Sequence, residues 1–428
     1  MPNAAHFKPE VLARLLRYVR IDTQSDDRNE TFPSTPGQLT LLGMLADELR
    51  AMGVPRVVQD EHGYVMALLP GTISPEAARR RAVPTVGFLA HVDTSPDVSG
   101  KDVLPQVIER YDGGVIRLPG APEVVIDPAE HPELGAVVGH GIVTSDGTTL
   151  LGADDKAGVA EIMTAVAHLA AHREIERGPV AVAFTPDEEI GRGTSRFDVA
   201  GFGASYAYTL DGSAGGAVES ETFSGDAAEV TIDGRSEHPG KAKGKMVSAM
   251  KLAGELLARL PKDRLCPEAT EDREGFIHPT RVVGNVQRAV VSFILRDFET
   301  PRLADQRRLI EDLCAEVGRL DPRARVKVEF SESYRNMRDA LREVPFVVAY
   351  AEDAIRRTGL APYFEPIRGG TDGARLTAMG LPTPNLFTGG YNYHSCREWA
   401  SVDYMAQAVQ MVVELVQIWA ERGLPRSA

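Results

Sequence analysis

Val180-Ala-Val-Ala-Phe184 is a short apolar run of β-prone residues, and Thr185-Pro-Asp-Glu188-Glu189-Ile-Gly191 follows it directly. The run reads as a buried strand, with the proline and glycine marking the turn that ends it. Two adjacent acids at the tip of a buried strand can divide two tasks, one holding a cation and the other handling protons. Working outward, Thr85 to Ala90 is a second β-prone run ending at His91, and Tyr206 to Leu210 is a third ending at Asp211. Asn385 to Phe387 is a fourth, followed by the loop that carries His394. Ala157 to His172 has helical apolar spacing, as do Pro9 to Arg20 and Gln38 to Met52. Strands alternating with helices predict an α/β fold whose mixed, mainly parallel sheet is flanked by helices. Every candidate group follows the C-terminal end of a strand, the edge at which open α/β sheets bind ligands.

At 428 residues the chain exceeds what one hydrophobic core usually organises, so two domains are expected. The texture changes between Phe223 and Tyr334. Ala228 to Ile232, Ala289 to Leu295 and Val326 to Phe330 read as strands, Val247 to Leu260 and Pro301 to Leu320 as helices. The expected organisation is a catalytic domain at 1–222, an inserted α+β domain at 223–334 and the rest of the catalytic domain at 335–428. A net charge of -14 repels phosphate backbones and makes nucleic acid an unexpected partner. No apolar run approaches a membrane span, and no signal-like segment opens the chain, so a cytoplasmic protein is expected. Cys266, Cys314 and Cys396 form no CxxC pair, which fits a reducing compartment. Cys396 reads as a loop neighbour of His394 rather than a nucleophile.

Taken singly, the candidate residues have ordinary explanations. His91 and Asp93 could be a structural histidine and a solvated acid, and Asp154 with Asp155 in Leu151-Gly-Ala-Asp-Asp-Lys-Ala-Gly158 could cap a helix. Asp211-Gly212 could be a plain turn, and Glu188 with Glu189 an exposed charge pair. Together they form the ligand inventory of a two-metal hydrolase. Two cations a few ångströms apart need a shared carboxylate, for which Asp154 is the candidate, with Asp155 capping or orienting. One site then comprises His91, Asp154 and Asp211, the other Asp154, Glu189 and His394. Histidine with carboxylates suits zinc, with cobalt or manganese as substitutes. Asp93 would orient His91, and Glu188, left uncoordinated, would be the general base.

Longer segments carry a resemblance. Ile21-Asp-Thr-Gln-Ser, His91-Val-Asp-Thr-Ser-Pro-Asp97, Leu150-Leu-Gly-Ala-Asp-Asp-Lys-Ala-Gly, Phe184-Thr-Pro-Asp-Glu-Glu, His238-Pro-Gly-Lys-Ala-Lys-Gly, Arg296-Asp-Phe, Pro366-Ile-Arg-Gly-Gly-Thr-Asp-Gly-Ala and Asn385-Leu-Phe-Thr-Gly-Gly-Tyr-Asn-Tyr-His394 span nearly the whole chain. In these the chain resembles the peptidase T family of tripeptide aminopeptidases, which are co-catalytic dizinc exopeptidases. The resemblance implies the same metal ligands and the same base. It also implies that the insertion is a lid through which two copies form a homodimer, and that small peptides are the substrate. His238 is then a candidate for polarising the scissile carbonyl and Arg368 for contacting substrate, with Arg296 and Asn285 as further substrate contacts. Two departures stand out. Ser395-Cys-Arg-Glu-Trp399 replaces the family's Gly-Lys-His-Glu-Phe, and an acid usual near Ala217 is missing. Competing expectations are a deacylase or dipeptidase on the same scaffold and, from another class, a non-catalytic binding protein.

Overall fold

The computed structural model describes residues 3–425 except Ser213. Contacts divide the chain into two units, one comprising residues 1–220, 339–365 and 371–428, the other 221–338 and 366–370.

The first unit is built on an eight-stranded sheet in the order Arg56–Gln59, Val65–Leu69, Val180–Thr185, Val86–His91, Tyr206–Gly212, Asn385–Phe387, Ala217–Glu219, Tyr363–Phe364. Its four central strands, from Val180–Thr185 to Asn385–Phe387, run parallel. The Arg56–Leu69 hairpin and the Ala217–Glu219 strand join them antiparallel. Side-chain alternation explains the layering. Val180, Val182, Phe184, Phe88, Ala90, Tyr208 and Leu210 enter the main core with the helices Lys8–Tyr18, Pro36–Ala51, Ala153–Ala171, Pro345–Arg357 and Val402–Arg422. The intervening Ala181, Ala183, Leu89 and Ala207 enter a smaller core with Phe197, Phe202 and Leu376. Both faces of the central strands are therefore dry, and polar groups can gather only at their ends. The helix expected from Ala157 begins at Ala153, with the backbone at Asp154 and Asp155 departing from helical angles.

The second unit is a four-stranded antiparallel sheet, ordered Phe276–Gly284, Arg288–Asp297, Ser224–Asp233, Arg325–Tyr334. Val230, Val291 and Leu295 pack with Leu252 and Leu256 of the Ala249–Ala258 helix and with Ile310 and Val317 of the Arg302–Leu320 helix. Residues 366–370, expected with the closing part of the catalytic domain, group here instead. The reason is local: Ile367 bridges Thr222, its carbonyl accepts from the Phe223 amide at 3.1 Å, and Arg368 stacks over Phe223.

Candidate dimetal site

Strand ends carrying His91, Glu189 and Asp211, the first turn of the Ala153–Ala171 helix with Asp154 and the loop with His394 bring the five expected ligands of the first unit together. His91 is only 3 % exposed. Its Nε2 lies 3.1 Å from Asp154 Oδ1 and 3.5 Å from Asp211 Oδ1. His394 Nε2 lies 2.9 Å from Glu189 Oε2 and 3.3 Å from the second oxygen of Asp154. Asp154 thus turns one oxygen toward each imidazole. Donor atoms of His91, Asp154 and Asp211 lie within 4.8 Å of one another, and those of Asp154, Glu189 and His394 do likewise.

Other acids hold this set in place by accepting from backbone amides. Asp93, expected to orient His91 through its carboxylate, does more: its two oxygens accept from the Glu188 amide at 2.9 Å and the Glu189 amide at 3.1 Å. The His91 Nδ1 donates to the Asp93 carbonyl at 3.1 Å, with Asp93 Oδ1 at 3.4 Å. Asp155 accepts from the amides of His91 at 3.1 Å and Gly158 at 3.2 Å, fixing the start of the helix against the strand. Asn385 Oδ1 accepts from the Asp211 amide at 3.1 Å.

Two anchoring residues are not apparent in the sequence. Glu398 is 1 % exposed, and its carboxylate accepts from the amides of Leu151 and Gly152, both at 2.7 Å, and of Asp154 at 3.0 Å. Asp187, at a positive φ of 60°, accepts from the Ser34 amide and from Gln38 Nε2, each at 2.8 Å. It thereby ties the acidic turn to the start of the Pro36–Ala51 helix. Glu398 is the one acid that the Ser395–Trp399 departure retains, which was the only available hint.

The donor set fits a pair of divalent cations. Burial, then the neighbouring Asp154 charge, pushes the Glu189 carboxyl up to about 8. Burial pushes Asp211 up to about 6 against the pull of His91. Burial also raises Glu188 well above the usual carboxylate range, with Asp372 adding to it. Burial opposes ionisation of Asp154 too, but hydrogen bonds from His394 and His91 outweigh it and hold that carboxyl low. Carboxylates crowded out of water in this way need positive charge nearby. Glu189 Oε1 is buried with no hydrogen-bond partner among the described residues. Nitrogen and carboxylate oxygen are the donors that zinc, cobalt and manganese accept.

The remaining expected residues lie in the second unit, each with a local partner. His238 is exposed, and its Nδ1 accepts from the Gly240 amide at 3.2 Å. Asn285 Oδ1 accepts from the amides of Gln287 at 2.8 Å and Arg288 at 3.1 Å, closing a hairpin. Arg296 donates to the Leu295 and Asp226 carbonyls and lies over the Tyr334 ring. Arg368 donates to the carbonyls of Asp272 at 2.8 Å, Glu274 at 3.0 Å and Thr270 at 3.2 Å.

The model for peptidase family M20/M25/M40 matches residues 145–418. The chain is 48% identical over 416 residues to a protein named Peptidase T from Bacillus velezensis, covering 97% of this chain and 100% of the relative. The chain belongs to peptidase family M20/M25/M40. Two solved structures agree with the M20 fold. A tripeptidase from Staphylococcus aureus superposes with a TM-score of 0.74 at 21% identity, covering 97% of this chain and 99% of its own. A dinuclear metal-binding M20 peptidase from Bacillus subtilis superposes with a TM-score of 0.63 at 17% identity, covering 98% and 99%. The mixed sheet with a mainly parallel centre is therefore an M20 peptidase scaffold.

Proposed function

We propose that this M20 peptidase is a metal-dependent aminopeptidase that releases the N-terminal residue from tripeptides. The reaction class is carried by one observation: two three-residue donor sets share Asp154, with Glu188 next to the ligand Glu189. The choice of substrate is supported by the full-length similarity to proteins named Peptidase T.

His91, Asp154 and Asp211 would hold one cation, and Asp154, Glu189 and His394 the other, zinc being the expected metal. Two such cations, when bound, supply Lewis acidity and activate water at neutral pH. Glu188 is the general base. No side chain hydrogen-bonds its carboxylate among the described residues, and burial raises its proton affinity toward the range a base working near neutrality needs. It takes the proton of the attacking water and delivers it to the leaving amine. Asp93, through the two amides it accepts, fixes the angle at which Glu188 and Glu189 leave the strand. In the second unit, His238 would polarise the scissile carbonyl. Arg368 and Arg296 would recognise the peptide carboxylate and Asn285 the peptide backbone.

The second unit would also serve as lid and dimer contact. Its edge strand Phe276–Gly284 leaves Val282 and Val283 half exposed. Strand edges carrying apolar side chains are the usual place for a second copy to add. The three cysteines are free, and no helix among the described residues is long and apolar enough to cross a membrane. Both observations support the reading of a cytoplasmic enzyme.

The test is hydrolysis of dipeptides, tripeptides, tetrapeptides and N-acetylated tripeptides before chelation, after it and after zinc is restored, with Glu188→Gln in parallel. First-residue release from free tripeptides, lost with chelator, regained with zinc and reduced about a thousandfold in Glu188→Gln, is the expected result. Cleavage of acetylated substrates points to a deacylase instead. A zinc-loaded Glu188→Gln protein with near-normal turnover refutes the role given to Glu188.

A further inference from the structure

The two imidazoles that face Asp154 are held in different ways. His91 is 3 % exposed, so packing fixes its ring, and its Nδ1 hydrogen goes to the Asp93 carbonyl two residues on. His394 is 40% exposed at its side chain and hangs from loop backbone with a positive φ of 58°. Little packing fixes that ring. Its Nε2 points inward at Glu189 and Asp154, while its Nδ1 faces outward, 3.4 Å from Asp97 Oδ2.

Asp97 is presented from a fixed loop. Its amide donates to Ser95 Oγ at 3.2 Å, and Gln24 Nε2 donates to the carbonyls of Ser95 at 3.1 Å and Val98 at 3.0 Å. Gln24 also bridges Thr94. The loop that begins at His91 thus offers an oxygen to each of the two histidines, the Asp93 carbonyl to one and the Asp97 carboxylate to the other. An imidazole ligates through Nε2 only in the tautomer that keeps its hydrogen on Nδ1. An acceptor on the far side fixes that tautomer, fixes the ring and makes the ligating nitrogen more basic.

We propose that Asp97 is the positioning residue for His394, and that Gln24 is the brace that holds Asp97 there. The proposal rests on the metallopeptidase reading and adds to it the residue that tunes one cation site separately from the other. Because Asp97 is an exposed loop residue, replacing it leaves the core untouched.

The test is zinc titration of the metal-free full-length protein in competition with a chromophoric chelator, for wild type, Asp97→Ala, Asp97→Asn and His394→Ala. Wild type should take up two ions. Asp97→Ala should lower the affinity for one of them about tenfold and spare the other. Asp97→Asn, which keeps a side-chain carbonyl to face Nδ1, should fall between wild type and Asp97→Ala. If His394→Ala loses one ion while Asp97→Ala binds both as wild type does, the role of Asp97 is overturned and the metal assignment stands. If His394→Ala itself binds both ions with wild-type affinity, the metal assignment fails and this proposal fails with it.

Discussion

Glu398→Ala tests how far a single buried carboxylate sustains the site. The Glu398 carboxylate is 1 % exposed and accepts from three amides, Leu151 and Gly152 at 2.7 Å on one oxygen and Asp154 at 3.0 Å on the other. A hydrogen bond to a charged group contributes about 1.5–3 kcal/mol, so three sum to at least about 4.5 kcal/mol. Truncation strands three amides in a cavity that water can partly refill, but it also removes a buried carboxylate that the fold ionises at a cost, and the expected loss is about 3 kcal/mol. Glu398→Gln has one acceptor oxygen, enough for the Leu151 and Gly152 amides, and its NH2 group then faces the Asp154 amide. That variant, uncharged as well, should lose about 1 kcal/mol. Burial pushes the Glu398 carboxyl up to about 7, so urea unfolding is best followed at pH 8, where it is ionised. Chelator in the buffer removes any contribution from bound metal. The only two tryptophans, Trp399 and Trp419, are both buried in the first unit, so their fluorescence reports that unit alone. A Glu398→Ala protein within about 1 kcal/mol of wild type, or a Gln variant as unstable as the Ala variant, refutes the argument.

Two further substitutions probe the packing around the site and a group remote from it. Gly158→Ala should cost about 3 kcal/mol in the same urea assay, although alanine is the better helix former, because the new Cβ would lie 1.9 Å from the Leu210 carbonyl oxygen. An unchanged or raised midpoint contradicts this. His168 belongs to a cluster in which its ring lies 4.3 Å from that of His172 and 5.9 Å from that of His6. Burial, then the charges of His172 and His6, pulls its pKa down from 6.5 to about 4. A depressed folded-state value means the unfolded chain binds the extra proton. The stability His168 allows is therefore fully present above pH 6.5 and lost as pH falls toward 4. Between pH 7.5 and 5 the wild type should lose about 2 kcal/mol more than His168→Leu, both with chelator present. Equal losses in the two proteins would show that His168 is not the acid-sensitive group.

The parallel centre of the sheet was legible because its strands are short apolar runs that end abruptly in polar residues. The candidate ligands were legible for the same reason, since His91, Glu189 and Asp211 each stand at or just beyond such an end. The hairpin Arg56–Leu69 was not. Arg56–Gln59 is largely exposed, with two adjacent valines between polar ends, and Val65–Leu69 is apolar on both faces, so neither shows the alternation that marks a strand. The antiparallel sheet of Gln106–Ile108, Ile142–Thr144, Gly390–Tyr391 and Trp399–Ser401 has strands of two or three residues, too short to show a period. Glu398, Asp187 and Gln24 escaped for a different reason. Each pairs with groups more than 60 residues away, and the order of residues does not reveal which distant amide or carbonyl lacks a partner.

Adjacent acids in this site do opposite things, and the hydrogen bonds show why they are not interchangeable. In Asp154-Asp155 the first faces both imidazoles and the second is spent on the amides of His91 and Gly158. In Asp187-Glu188-Glu189 the first is spent on Ser34 and Gln38, the carboxylate of the second is left without a hydrogen bond among the described residues, and the third faces His394. Asp93 and Glu398 are likewise spent on amides. Amide donors thus hold the carboxylates of Asp93, Asp155 and Glu398 in place, while those of Asp154, Glu189 and Asp211 face the imidazoles. The dry strands leave polar groups only their ends, and the amide-bound acids at those ends fix where the remaining carboxylates point. The two donor sets are thus pre-formed, with Glu188 as the acid of Asp187-Glu188-Glu189 whose carboxylate neither anchors the turn nor faces an imidazole.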